Sequence, residues 1–432
     1  VRILIVTDCF WPEPSPPAAH VHDRAKLWAA DGHDVTVVTN VPNYPEGRFH
    51  DGYRNLLRQV ELRDGVRIVR VMTYATPNTG LLRRLLDYLS FMVTAGLFAP
   101  FERRPDVVFS TSPQLFASVA AAWTALLRRR PHVMEVRDLW PASVIRSRGL
   151  VYRVLERVEL TLYRHAARVI ALTPSFIDDM ARRGVPRDKI DLVVNGAALD
   201  LFHPHDLRDA ELQRDLELDG HLTIGYPGTL ATAHDIENLL ETAELLADQP
   251  VRFVVVGGGP VKARLEELAR RRCPDRFRFV PTQPRDAMPR YWSLFDWSLV
   301  LLRNEPVLAT VIPSKIFESM ASGVPVLFVG PRGDASALID AEGVGRCVDA
   351  GDPNRFAEAI RRLVAECRPG TPCHAALRSR ALERAPNWSR TRQAESTMRS
   401  LLLATGREPH DAPNGSPDES RRSRNAVGEI TR

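Results

Sequence analysis

Ile312-Pro313-Ser314-Lys315-Ile316-Phe317-Glu318-Ser319-Met320-Ala321-Ser322-Gly323-Val324-Pro325-Val326-Leu327 reads as a short helix followed at once by a buried strand. Pro313 and Ser314 open the helix, Gly323 ends it, and Val324 to Val329 forms the strand. A helix that delivers the chain straight into a buried strand is the unit of a parallel α/β sheet. On that helix Lys315, Glu318 and Ser322 share one face, while Ile316, Phe317 and Met320 turn to the core. The exposed end therefore carries a hydroxyl, an ammonium and, one turn on, a carboxylate. Backbone N–H groups and a cation suit phosphate, and a nearby carboxylate suits ribose hydroxyls. A nucleoside diphosphate satisfies all three. The competing reading is an ordinary cap at Ser314 with Lys315 and Glu318 merely solvated. A capping box would need Glu or Gln at position 317, where Phe317 stands. Glu318 is thus left without a local capping task. Only four of the 58 basic residues are lysines (Lys26, Lys189, Lys262 and Lys315), so a compact point charge is retained here in a chain that otherwise uses arginine.

The same alternation extends outward in both directions. Strands are expected at Arg2–Thr7, Asp34–Thr39, Val66–Val71, Asp106–Ser110, Val133–Val136 and Val169–Leu172, separated by helical stretches such as His20 to Ala30. The second half repeats the pattern with strands at Thr223–Pro227, Arg252–Val256, Arg276–Val280, Trp297–Leu302, Val324–Val329 and Gly345–Val348. Two α/β halves of this kind, joined near Asp200 to Asp206, predict two Rossmann-like domains with a cleft between them. Ligands in such sheets sit beyond the carboxyl ends of the strands. The expected boundaries are 1–203 and 204–384, with a helix at about 385–403 packing back on the first domain. The polar tail 406–432 has no apolar periodicity and is expected to be disordered.

Composition narrows the function. A length of 432 residues, 44% hydrophobic and 26% charged, describes a globular chain with room for two or three domains. The five cysteines form no CxxC pair, so neither a disulfide nor structural zinc is expected, and a reducing cytoplasm fits. The chain enters a strand at its first residues, which predicts no signal peptide. A net charge of +5, with arginines spread along the chain, does not point to nucleic acid. Leu85 to Phe101 is apolar between Arg83-Arg84 and Arg103-Arg104, and is too short and interrupted to span a membrane. It reads either as a core helix with charged ends or as a surface helix touching an anionic leaflet.

Several ordered pieces then match a family. They are Trp11-Pro12-Glu13, Gly32-His33-Asp34-Val35-Thr36-Val37, Pro42-Asn43-Tyr44-Pro45-Glu46-Gly47 and Arg137-Asp138-Leu139-Trp140-Pro141. Asn195-Gly196, Phe202-His203-Pro204, Gly228-Thr229-Leu230, Gly257-Gly258-Gly259-Pro260 and Pro313-Ser314-Lys315-x-x-Glu318 complete the series. From about residue 2 to residue 400 the chain resembles bacterial retaining glycosyltransferases of family four, with the α/β fold called GT-B. It is most similar to the branch that uses amino-sugar donors in surface-polysaccharide assembly. The resemblance implies that Glu318 binds the nucleotide ribose and that Ser314 and Lys315 lie at the diphosphate. It implies that Gly228 and Thr229 admit the phosphates to the backbone, that Arg276 to Pro281 runs near the base, and that Arg137 and Asp138 act on the acceptor side. The implied partners are a nucleotide-sugar donor, a lipid-linked or glycan acceptor and an anionic membrane surface. The implied reaction is metal-independent front-face transfer without a cofactor, in the cytoplasm and peripheral to the membrane.

The chain departs from the family pattern at three places. Thr310 stands where the family's Glu-x7-Glu motif has its first glutamate. The loop after the first strand reads Ser15-Pro16-Pro17-Ala18-Ala19-His20 instead of being glycine-rich, which predicts a stiffened loop short of N–H donors. The basic residues expected after Gly228 are missing, which leaves His234 as the candidate cation there and places more diphosphate charge on Lys315 and Arg303. His20 is a candidate to reach the cleft, and His33 a turn residue. A dehydrogenase is disfavoured because its fingerprint needs a third glycine where Lys262 stands. A nucleotide-sugar epimerase on the same fold and a non-catalytic scaffold are the remaining alternatives.

Overall fold

In a computed structural model, residues 1–44, 46–76, 81–112, 114–141, 149–205 and 207–408 are described, 81 and 82 by backbone alone. The tail expected to be disordered lies outside these residues from 409 onward, as does Pro45 of the Pro42 to Gly47 piece. The chain divides into two compact units, Val1–Val194 with the C-terminal helix, and Asn195–Ser389.

In the first unit the apolar runs become β1 (Arg2–Val6), β2 (Asp34–Asn40), β3 (Arg58–Arg63) and β4 (Val66–Val71). They continue as β5 (Val107–Thr111), β6 (His132–Val136), β7 (Arg168–Ala171) and β8 (Ile190–Leu192). The sheet order is β3-β4-β2-β1-β5-β6-β7-β8, parallel throughout except for the antiparallel edge strand β3. The helices are α1 (Pro16–Ala30), α2 (Leu81–Phe98), α3 (Leu115–Arg128), α4 (Leu150–His165) and α5 (Pro174–Arg182). On one sheet face Phe91, Ala95, Ala117 and Ala121 of α2 and α3 pack on Leu4, Val6, Val69 and Val71. Continuous burial on both faces explains why these strands read as unbroken apolar runs.

The second unit contains α6 (Ala210–Asp215), β9 (Leu222–Pro227), α7 (Ile236–Leu245), β10 (Val251–Val256), α8 (Lys262–Arg272) and β11 (Phe277–Val280). It continues with α9 (Met288–Trp292), β12 (Trp297–Leu301), α10 (Lys315–Ala321), β13 (Val326–Gly330), α11 (Asp334–Glu342) and β14 (Gly345–Asp349). Helices α12 (Pro353–Glu366) and α13 (Pro372–Arg384) close it. Its sheet, ordered β11-β10-β9-β12-β13-β14, is wholly parallel over Trp297, Phe253, Leu240 and Phe356. Helix α14 (Arg390–Ala404) then joins the first unit. There Met398 and Leu401 pack with Trp28 of α1 against Ile3 and Ile5.

Several expectations change. The proline-rich segment is no stiff loop: Ser15 caps α1 by accepting the Ala18 N–H at 3.4 Å, and Pro16 and Pro17 form its first turn. Proline costs nothing there because first-turn N–H groups have no intrahelical acceptor. Strands β3 and β8 were not anticipated; β3 is a half-polar edge strand and β8 only three residues long. The unit boundary falls at Val194, earlier than 203, because Gly196 and Ala197 lie on the backbone of Trp388 and Ser389. Cys367 and Cys373 form a disulfide with Cα atoms 5.1 Å apart, contrary to expectation. The turn between α12 and α13 folds the two thiols together, a proximity that a six-residue spacing does not announce.

Candidate functional site

In the second unit the deciding stretch forms α10, with Gly323 at φ +67° ending it and Pro325 delaying β13 to Val326. Ile316, Phe317 and Met320 are buried as expected, but Ser322 is buried too instead of sharing an open face with Lys315 and Glu318. Ser314 makes no side-chain capping bond, so the ordinary-cap reading fails.

Lys315 reaches away from its own helix to the carboxyl end of β9. Its Nζ lies 3.8 Å from the centroid of the Tyr226 ring. A Cβ placed on Gly228 would stand 3.7 Å from the same Nζ. The Tyr226 hydroxyl donates to the Thr229 carbonyl at 3.0 Å, fixing ring and loop together. Burial lowers the Lys315 ammonium to about 7, opposed by the Glu318 charge. A desolvated cation on an aromatic face, beside exposed Gly228 and Thr229, is an arrangement chemically able to receive an anion.

The loop carrying Gly228 is braced by the triple glycine. Gly228 N–H donates to Val256 O at 2.9 Å and Leu230 N–H to Gly258 O at 2.8 Å. A Cβ on Gly257, whose φ is +148°, would meet Gly228 O at 2.1 Å, and one on Gly259 would meet Leu230 O at 2.2 Å. The glycines allow two backbone segments to touch. His234 accepts the Ala231 N–H on Nδ1 at 2.8 Å and stacks edge-on with Tyr226. Burial and the Lys315 charge lower it to about 3. The expected cation is therefore a neutral imidazole with its proton on Nε2.

Arg303 is engaged with Glu237 at 3.2 Å, which turns its charge toward α7. Thr310 hydrogen-bonds Val307 O at 2.8 Å and closes the 3-10 turn Pro306–Thr310. Arg276 bonds the Val251 carbonyl at 3.2 Å as well as those of Gln249 and Ala247, at the amino end of β10. It cannot serve a ligand at the carboxyl ends; only the Val280–Pro281 end of its segment lies there.

In the first unit Arg137 and Asp138 follow β6 at its carboxyl end, their N–H groups donating to Ser112 Oγ at 2.8 and 3.4 Å. Arg137 pairs with Glu135 at 3.7 Å. Glu135, fully buried, also receives Arg24 through two bonds of 2.5 and 2.7 Å and Thr111 at 2.6 Å. Arg24 and Arg137 hold the Glu135 carboxylate at about 2 despite the burial that opposes them. Burial pushes Asp138 up to about 6. A second acidic group lies at the end of β1: burial, with Glu13 and Asp87, raises Asp8 to about 7. Glu13 accepts the Asn43 and Tyr44 N–H groups at 2.9 and 3.1 Å, so the Trp11-Pro12-Glu13 piece fixes the backbone of Asn43 and Tyr44. No cluster of three or more metal-ligating side chains occurs among the described residues.

Residues 17–196 match the glycosyl transferase 4-like domain, and residues 221–366 match the glycosyl transferases group 1 domain. The chain belongs to the family-four glycosyltransferases. It is similar to the colanic acid biosynthesis glycosyl transferase WcaI of Escherichia coli, 26% identical over 75% of this chain and 82% of that one. It is also similar to a GDP-mannose-dependent alpha-mannosyltransferase of Mycolicibacterium smegmatis, 24% identical over 85% of this chain and 92% of the relative. Anabaena HepE in complex with UDP and glucose shares the fold, with a TM-score of 0.69 at 18% identity, covering 93% and 99% of the two chains. The two parallel-sheet units of this glycosyltransferase are the Rossmann-like halves of the GT-B fold.

The structure of this glycosyltransferase gathers Lys315, Gly228 and Thr229 around Tyr226, and places Glu318 one turn along α10. It places Arg137 and Asp138 in the other unit. Tyr226, Glu135 and Asp8 are site residues that the sequence motifs do not mark. For Glu135 the available signal is a carboxylate inside the fully buried strand His132–Val136. His20 lies inside α1 and is buried, so it is no loop residue.

Proposed function

We propose that this glycosyltransferase takes a sugar from a nucleoside-diphosphate donor, UDP-linked, and transfers it to a lipid-linked or glycan acceptor with retention of configuration. The observation that carries the donor side is the Lys315 ammonium, held over Tyr226 and beside the Gly228 backbone. The diphosphate lies against that ammonium and the Gly228–Thr229 loop, and Glu318 receives the ribose hydroxyls. As the bond from the anomeric carbon to phosphate breaks, its electron pair moves to the diphosphate, where Lys315 stabilises the growing charge. The acceptor oxygen bonds to the same face of the anomeric carbon, and a diphosphate oxygen takes the hydroxyl proton. Lys315 supplies positive charge without calling on a metal ion.

Arg137 and Asp138 act on the acceptor side. Asp138, raised to about 6, is poised to accept a hydrogen bond from an acceptor hydroxyl. The sugar is a hexosyl or N-acetylhexosaminyl group. UDP in the HepE complex supports uridine, and the mannosyltransferase relative makes GDP-mannose the competing donor. Surface-polysaccharide assembly, the setting of WcaI, supports a lipid-linked acceptor.

The test is transfer of radiolabelled sugar from UDP- and GDP-linked donors to lipid-linked acceptor, by the parent chain and by Glu318→Ala. Glycolipid product from the parent and little from the variant is expected. Release of free epimerised nucleotide sugar would establish the epimerase instead, and no donor turnover with retained UDP binding would establish a non-catalytic scaffold.

A further inference from the structure

We propose that the Cys367–Cys373 disulfide is a thiol-exchange site, opened by a small charged thiol seated in the groove beside it, and that its opening loosens the support of α10. The bond joins the end of α12 to the first turn of α13. Its two sulfurs stand in unlike places. Cys367 is 3% exposed and belongs to the core with Trp297, whose Nε1–H donates to the Cys367 carbonyl at 3.3 Å. Cys373 is only partly buried, and the Arg346 guanidinium of β14 donates to its Sγ at 3.8 Å. Arg346 makes no ion pair among the described residues, so its charge is available to a Cys373 thiolate.

A groove of about 360 Å³ opens beside the pair, lined by Arg346, Arg355, Arg362, Glu358 and Glu366. Arg355 is shared with Asp352 and Arg362 with Glu358. Three guanidinium groups and two carboxylates suit a small thiol that itself carries carboxylates and an ammonium. Cys347 also lines the groove, but burial and Asp340 push its thiol up to about 12. It stays protonated, donates to the Ser336 carbonyl at 3.8 Å, and does not compete in the exchange.

The exchange balances in two steps. The thiolate of the small thiol attacks Cys373 Sγ, and the bond to Cys367 breaks. Its electron pair leaves on Cys367, which takes up the proton that the thiol released, and a mixed disulfide remains on Cys373. A second thiolate attacks the outer sulfur of that bond and frees Cys373 as a thiolate beside Arg346. Two small thiols are thereby oxidised to one disulfide while the protein disulfide is reduced.

The effect reaches the donor site through α13. His374, next to Cys373, donates from Nε2 to the Asp296 carbonyl at 3.0 Å, just before β12. Arg378 donates to the Gly323 carbonyl at 3.2 Å, and a Cβ on Gly323 would stand 3.0 Å from Leu382. Gly323 ends the turn that closes α10, whose first residue is Lys315. A freed first turn of α13 therefore slackens the helix that presents Lys315. This coupling rests on the donor reading of Lys315; the exchange itself does not.

The experiment incubates the full chain with reduced and oxidised glutathione at graded ratios, quenches with acid and maps adducts by peptide mass spectrometry. The disulfide should open as the reduced fraction rises, with the mixed disulfide on Cys373. At equal thiolate concentration glutathione should act about fivefold faster than β-mercaptoethanol, and Arg346→Gln should remove most of that advantage. The opened chain should melt about 5 °C lower and bind UDP about fivefold more weakly. Cys373→Ser should behave as the opened chain in every glutathione buffer. Arg378→Ala should make opened and closed chains bind UDP alike. A disulfide that glutathione leaves intact in the folded chain and reduces in the unfolded one overturns the exchange. Adducts centred on Cys367, or equal rates for the two thiols, overturn the groove assignment, and equal UDP affinity in both states overturns the coupling. UDP binding by neither state overturns the donor reading and the coupling with it, while mass and melting still decide the exchange.

Discussion

The Lys315 ammonium and the Tyr226 ring meet at 3.8 Å, joining the first turn of α10 to the end of β9. The ring keeps water from the ammonium and positions it against Gly228, while the Tyr226 hydroxyl ties the same loop through Thr229. Cation placement and loop shape therefore depend on one aromatic side chain.

Tyr226→Phe keeps the ring and loses only the bond to Thr229, so donor affinity should fall by no more than a few-fold. Tyr226→Leu removes the aromatic face, and a cation–π contact of about 0.5–2 kcal/mol corresponds to a loss of roughly two- to thirtyfold. Titration of each variant with UDP by calorimetry measures the difference.

The proton on Lys315 should be visible in binding. In the free protein the ammonium is lowered to about 7, and a bound diphosphate favours the charged form. UDP binding should therefore take up protons near neutral pH. Above about pH 7 its Kd should rise by about tenfold for each pH unit until the bound-state pKa is passed. Calorimetry in buffers of different ionisation enthalpy measures the uptake. Lys315→Ala should abolish this pH dependence and lower kcat, whereas Glu318→Ala should mainly raise the donor KM.

Gly257→Ala tests the brace behind the donor loop. The new methyl would meet Gly228 O at 2.1 Å in a backbone conformation, φ +148°, that alanine resists. The Gly228 loop must move, so the donor KM should rise on the order of tenfold with thermal stability reduced. Steady-state kinetics over a donor series, with a melting curve, reads both effects.

Glu135→Gln tests the buried charge cluster of the first unit. It leaves Arg24 and Arg137 without their shared anion and should cost about 3 kcal/mol or more in denaturant unfolding. The parent should also show an acid signature. Its Glu135 pKa, about 2 when folded, lies below the unfolded value of about 4.3. The linked stabilisation is fully present above that unfolded value and is lost as pH falls toward 2. In the variant this part of the acid dependence should disappear.

Much of the fold was legible because a parallel sheet buried on both faces leaves unbroken apolar runs. The expected strand Val66–Val71 coincides with β4, and most other strands agree with their expected bounds to within one or two residues. Strand β3 is hidden in the sequence because an edge strand carries polar residues on its open side, and the start of α1 is hidden because prolines at a capped first turn look like a loop. The face of α10 that buries Ile316, Phe317 and Met320 followed from helical period alone.

The amino-acid sequence by itself determined the alternation of strand and helix, the core face of α10 and the residue types able to meet phosphate. Those are consequences of local periodicity, which each segment carries within a few turns. The tertiary structure decided that Lys315 rests on Tyr226, that His234 is neutral and that Arg303 serves Glu237. It also brought Arg24 to Glu135 across 111 positions and folded Cys367 onto Cys373. Burial, partner charge and hydrogen-bond acceptors fix those states. They come from elements distant in the chain, brought together only when the sheets assemble.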